Sequence, residues 1–126
     1  MTFDFLINSN QHCKMAWQEL NAIETINSFA SEEKPQLIFK HSPRCGISSM
    51  ILRNFEKSEF YKSGSDDFWL LNVLESRSIS NALADDLNVR HESPQVLVLF
   101  QGKLIHHASH SGIDANEIES AIRSIK

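Results

Sequence analysis

The run Phe39-Lys40-His41-Ser42-Pro43-Arg44-Cys45-Gly46-Ile47-Ser48 gathers the residue types in this chain that could do chemistry. Cys45 leads them, because a thiolate is both a nucleophile and a redox centre. Leu37-Ile38-Phe39 reads as a buried strand, and Pro43 and Gly46 then break the extended pattern. Ile47, Met50, Ile51 and Phe55 follow at helical spacing. Cys45 therefore falls where a strand ends and a helix begins. Unpaired N–H groups and the positive end of the helix dipole favour an anionic sulfur there. Arg44 beside it and His41 at the strand end are expected to add positive charge. The fourth position of a Cys-x-x-Cys pair is Ser48, so a redox site here has one thiol. The Ser48 hydroxyl is then a candidate hydrogen-bond donor to that sulfur.

The elements that must position this run are legible as hydrophobic pattern. Residues 17–20 read as a short first strand. Asn21 with Glu24 fits a capping box for a helix carrying Ile23, Ile26 and Phe29 or Ala30, which should end before Pro35. Residues 36–41 form the second strand and about 44–56 the second helix, followed by a linker over 58–67. Residues 68–74 are apolar enough for a strand covered on both faces. Ile79, Leu83 and Leu87 mark a third helix, capped by Ser76 or Ser78. Residues 96–100 and 104–108 form a hairpin whose turn needs a positive φ at Gly102. Asp114 with Glu117 opens a last helix with Ile118, Ala121, Ile122 and Ile125 inward. The order β-α-β-α-β-α-β-β-α predicts an α/β fold, a mixed sheet of four or five strands with helices on both faces. Residues 1–14 read as a weakly attached extension open to disorder, in which Phe3, Phe5, Leu6 and Ile7 could form a short strand but 8–12 are polar and patternless, with the domain proper over 15–126.

The totals exclude several classes. At 126 residues the chain is long enough for a single core. A net charge of −4 and a pI near 5.8 argue against a nucleic-acid or anionic-membrane surface. The purest apolar run, 96–100, falls far short of the ~18–20 residues of a membrane helix. Met1-Thr2-Phe3-Asp4 has no basic stretch of the kind that opens a signal peptide. Cys13 and Cys45 do not make a secreted disulfide framework, so a reducing cytoplasm is the expected compartment.

A cysteine at a helix start followed later by a proline just ahead of a β-hairpin resembles the thioredoxin fold. The local strings are closer still to one branch of it. His41-Ser42, Cys45, Ile47-Ser48, Arg77 with Ser80-Asn81, His91-Glu92-Ser93-Pro94-Gln95 and Ala108-Ser109-His110 resemble the monothiol bacilliredoxin (YtxJ-like) family, over roughly residues 17–126. The resemblance implies a cis peptide at Pro94, a Ser93 backbone that receives a disulfide-bearing partner, and Cys45 as the catalytic thiol. It also implies the reduction of mixed disulfides between proteins and a low-molecular-weight thiol. That thiol is bacillithiol by resemblance, a co-substrate rather than a tightly bound cofactor. The partners implied are S-thiolated client proteins. In one respect the chain departs from the pattern: the family has Cys-Pro-Ile-Ser where this sequence has Cys45-Gly46-Ile47-Ser48. Glycine lacks the fixed φ that suits proline to a first helical turn.

Two other functions compete. Cys45-Gly46-Ile47-Ser48 is also close to the Cys-Gly-Phe-Ser of monothiol glutaredoxins, which bind a [2Fe–2S] cluster with glutathione, although the residues that hold glutathione are not evident here. A thioredoxin-fold adaptor without chemistry is the third. Each residue has a plainer reading too. His41 is more simply a strand-end residue than a base, and Trp17 and Trp69 are core aromatics. Arg77 and Asn81 lean towards structure, and Cys13 is a bystander rather than a resolving thiol. His91, His106, His107 and His110 invite a metal reading, but their region reads as strand and loop and no Cys or carboxylate completes a set, so no metal site is expected.

Overall fold

A computed structural model describes residues 17–125, so the extension over 1–14 and Cys13 lie outside the described residues. Five strands form one sheet in the order β1-β3-β2-β4-β5. They are β1 (Trp17–Glu19), β2 (Gln36–His41), β3 (Asp67–Asn72), β4 (Gln95–Phe100) and β5 (Lys103–Ser109). The first three run parallel, β4 is antiparallel to β2, and β5 closes the hairpin. The helices are α1 (Ile23–Ser28), α2 (Gly46–Glu56), α3 (Glu59–Ser63), α4 (Arg77–Leu87) and α5 (Ala115–Arg123), with 3-10 turns over Phe29–Ser31 and His110–Gly112. None of these helices is long and apolar enough to cross a membrane.

β2 lies at the centre, paired on both sides, and its period-2 alternation divides the core in two. Leu37 and Phe39 join Phe55, Phe60, Phe68, Val96, Val98, Ile118 and Ile122 on the face covered by α2, α3 and α5. Ile38 joins Leu20, Phe29, Leu71, Ile79, Leu83, Leu97 and Leu99 on the face covered by α1 and α4. At the hairpin Gln101 and Gly102 both take positive φ, 53° and 82°, as expected for Gly102. A Cβ on Gly102 would stand 3.4 Å from Ala30 Cα, so the turn lies close against the end of the first helical segment.

Three expectations need correction. The linker over 58–67 contains α3, started by Ser58 Oγ accepting the Tyr61 N–H at 3.2 Å. Its Phe60 and Tyr61 are buried, because two adjacent aromatics can reach the core from one helical turn. The N-cap of the first helix is Ala22, not Asn21, with no side-chain cap, and the helix tightens into the 3-10 turn that buries Phe29. Ser76 stands at the N-cap of α4, but its side chain makes no capping bond. At α5 the expected Asp114 cap does form, accepting from Asn116 N–H at 2.8 Å and Glu117 N–H at 3.3 Å.

Candidate active site

Cys45 is the N-cap residue of α2, with an extended backbone at φ −102° and ψ 119°. Its N–H donates to the Ser42 carbonyl and its own carbonyl accepts the Ser49 N–H, both at 3.0 Å. The thiol is half-buried and is the one cysteine among the described residues. Arg44 and Gly46 beside it are exposed. Strand, turn and helix start thus hold the sulfur at the mouth of the helix dipole, where anions are favoured.

Ser48 sits one turn further on and is fully buried. Its Oγ accepts the Ser42 N–H at 3.1 Å and lies 2.8 Å from His41 Nδ1. These bonds turn the hydroxyl back towards the end of β2, not to the Cys45 sulfur, as expected for a helical side chain that leans towards the N-terminus. Burial lowers the His41 pKa, against a smaller opposing pull from Glu56. His41 is therefore uncharged near neutral pH, and the positive charge expected from it is not supplied. A neutral ring can accept the Ser48 proton at Nδ1 and carry its own on Nε2, an assignment that follows from the bonding pattern.

The second wall comes from the loop ahead of β4, where the Ser93–Pro94 peptide is cis as the resemblance implied. Lys40 and Gln95 are register partners, so the C-terminal end of β2 and the N-terminal end of β4 lie side by side at one end of the strands. The Pro94 carbonyl accepts the His110 N–H at 3.0 Å. Gln95 Nε2 donates to the Arg90 carbonyl at 3.0 Å and approaches Ser109 Oγ at 3.4 Å. Glu92 is held below its usual range by a hydrogen bond from Ser109 and by His110, whose Nδ1 is 3.7 Å away.

Sequence reasoning missed the polar group on the other face of β2. Lys40 is completely buried, with Nζ 3.2 Å from the Ser80 carbonyl and 3.2 Å from His91 Nδ1. Ser80 Oγ also lies 3.2 Å from that nitrogen. Desolvation lowers the Lys40 pKa to about 8. His91 is lowered as well, by burial, Lys40 and Arg77, against Glu92. The one sequence signal was a lysine inside an otherwise apolar strand.

Beside Cys45, Ile47 and Met50 are 57% and 48% exposed. With Ile51, Phe55, Ile113 and Ala115 they line a cavity of about 570 Å³ between α2 and the start of α5. Asn81 borders a separate open cleft with Arg90 and His91. Among the described residues, no three His, Cys, Asp or Glu side chains are grouped to hold a metal ion. Trp17 and Trp69 are half-buried: Trp17 packs on Phe39, Phe55, Tyr61 and Phe68, and Trp69 on Phe29.

Comparison with known proteins agrees with this geometry. The family model described as "Monothiol bacilliredoxin BrxC" matches residues 18–118. A solved structure of a thioredoxin-fold protein described as a candidate oxidoreductase is 28% identical, with a TM-score of 0.77 over 89% of this chain and 98% of that one. Thioredoxin from Malassezia sympodialis is 21% identical, with a TM-score of 0.63 over 86% of this chain and 91% of its own. Mitochondrial thioredoxin 3 from Saccharomyces cerevisiae is 18% identical, with a TM-score of 0.65 over 90% and 99%. The last two show the shared fold alone.

Proposed function

The chain belongs to the monothiol bacilliredoxin family, and on that premise we propose that it reduces mixed disulfides between proteins and a low-molecular-weight thiol through Cys45. The Cys45 thiolate attacks the small-thiol sulfur of the client's mixed disulfide. That S–S bond breaks, the client leaves as a thiolate that takes a proton from water, and the small thiol stays on Cys45 as a new disulfide. A second small-thiol thiolate attacks the sulfur of the bound one, releasing the Cys45 thiolate and a small-molecule disulfide. In sum one free small thiol is consumed and one client thiol is released, the disulfide bond passing from the client to a pair of small thiols while Cys45 is regenerated. By family the small thiol is bacillithiol, the clients are S-thiolated proteins, and the compartment is a reducing cytoplasm.

The observation that carries this reading is a half-buried cysteine, the one cysteine among the described residues, at the N-cap of α2 with a buried serine at position 48. Without a thiol at 48, no internal disulfide can form across the first turn, and a free small thiol must release Cys45 from its mixed disulfide. Ser93 supplies backbone groups to the client, buried Pro94 shapes the surface beside it, Arg44 draws anionic partners, and Ser48 fixes the helix start against His41.

The test uses Cys13→Ser protein, so that one thiol remains, and a client protein carrying bacillithiol as a mixed disulfide. Release of the client thiol, with one bacillithiol mass added to the catalyst and lost on adding free bacillithiol, is expected. Cys45→Ser should abolish both. Unchanged client release by Cys45→Ser overturns the proposal and leaves the adaptor reading. A coloured protein whose absorption needs Cys45 moves it to an iron–sulfur carrier.

A further inference from the structure

We propose that Lys40 is a positioning residue for the reaction at Cys45: its buried side chain ties the His91–Pro94 loop, and with it the Ser93 backbone, to the strand that leads to the nucleophile. The inference rests on the function proposed above. Lys40 and His41 are consecutive in β2, so their side chains leave opposite faces of the sheet. His41 meets Ser48 in α2, and Lys40 meets His91 in the loop. Two adjacent strand residues thereby anchor both walls of the site.

Nothing about stability calls for a lysine there. Lys40 is fully buried beside an apolar cluster, and replacing a buried ion with an apolar side chain is often neutral or stabilising. What its ammonium contributes is direction. Two of its protons have acceptors, the Ser80 carbonyl on α4 and His91 Nδ1 on the loop. The bond to His91 needs a charged lysine facing a neutral imidazole. Arg77 on α4 and Glu92 in the loop are the other charges acting on His91, and Gln95 is the Lys40 register partner on β4. The tie is therefore complete from below the ordinary histidine value of 6.5 up to about 8. Under acid conditions imidazolium faces ammonium, and above the upper limit the lysine loses its charge.

The experiment compares wild type, Lys40→Met, His91→Ala and the double variant, with Lys40→Gln as a second substitution should the methionine variant fold poorly. The readouts are thermal midpoint, alkylation of Cys45 by iodoacetamide, hydrogen exchange at the amides of His91, Glu92, Ser93 and Gln95, and kcat and KM with the bacillithiol-modified client. Lys40→Met should keep or raise the midpoint and leave alkylation within about twofold, while loop exchange quickens and KM rises about tenfold, the scale of one charged hydrogen bond. The double variant should be no worse than either single one. The wild-type KM should rise above pH 8, and that rise should vanish in Lys40→Met. Unchanged loop exchange and KM in both lysine variants, or effects that add in the double variant, overturn the proposal. A wild type that releases no client overturns the enzymatic reading instead, and loop exchange still decides whether the tie exists.

Discussion

Ser48 links the candidate nucleophile's helix to the strand beneath it. Its hydroxyl is fully buried and serves two partners, Ser42 N–H and His41 Nδ1. In Ser48→Ala both partners lose their bond inside the protein, which costs about 1–3 kcal/mol when a buried polar group is left unpaired. We expect a lower urea midpoint for Ser48→Ala with an unchanged denaturant slope; an unchanged midpoint would show that the two partners find other bonds. Cys45 was legible in the sequence, because proline, glycine and a change of period bracket it. The partners of Ser48 and the depth of Lys40 were not. Burial of a strand-end side chain depends on which helix covers that face, and α4 begins 37 residues after Lys40, at Arg77. Pattern over a short window cannot carry that information.

At the level of elements, the start of α2 shows what the glycine at position 46 does. Gly46 is the first helical residue, and a Cβ built on it meets nothing within 4 Å. As the first residue of the helix its N–H has no intrahelical partner, and Cys45 already has the extended backbone that a following proline requires. Gly46→Pro, which restores the family's usual residue, should therefore fit without strain. It should stabilise by about 0.4–1 kcal/mol, chiefly by restricting the unfolded chain. A raised thermal midpoint checks this, and a lowered one would show that the helix start needs a φ that proline cannot take. The strands and α5 followed their pattern closely, down to the Asp114 cap. The short helix α3 did not announce itself, because Ser58, Ser63, Gly64 and Ser65 give the segment a loop-like composition. Only Phe60 and Tyr61 argued otherwise, and two residues are too few to show a helical period.

For the whole molecule, three ionisable groups with shifted pKa values, Lys40 and His41 at the C-terminal end of β2 and His91 in the loop beside it, shape how stability follows pH. His41 and His91 have lowered pKa values, so the unfolded chain takes up their protons first. Their contribution is present above 6.5 and is lost as pH falls below it through the folded values. Lys40 falls from 10.5 to about 8, so its contribution is complete above 10.5 and is lost as pH falls to 8. That span corresponds to about 3 kcal/mol. The urea midpoint should accordingly fall on acidification below pH 6.5, stay level between 6.5 and 8, and climb above 8. A midpoint that falls between pH 8 and 9.5 in wild type but not in Lys40→Met would reverse the sign assigned to Lys40.

The solitary thiol at the head of α2 has a consequence of another kind. A two-cysteine site closes on itself after each encounter and so discards the identity of the molecule it met. With serine in the fourth position, no thiol one turn along the helix can perform that erasure for Cys45. Under the chemistry proposed here, the group on Cys45 is a record of the last sulfur exchanged, kept until another thiol overwrites it. The distribution of masses on this one residue, in protein isolated under acid quench, would read out the thiol pool in which the protein works.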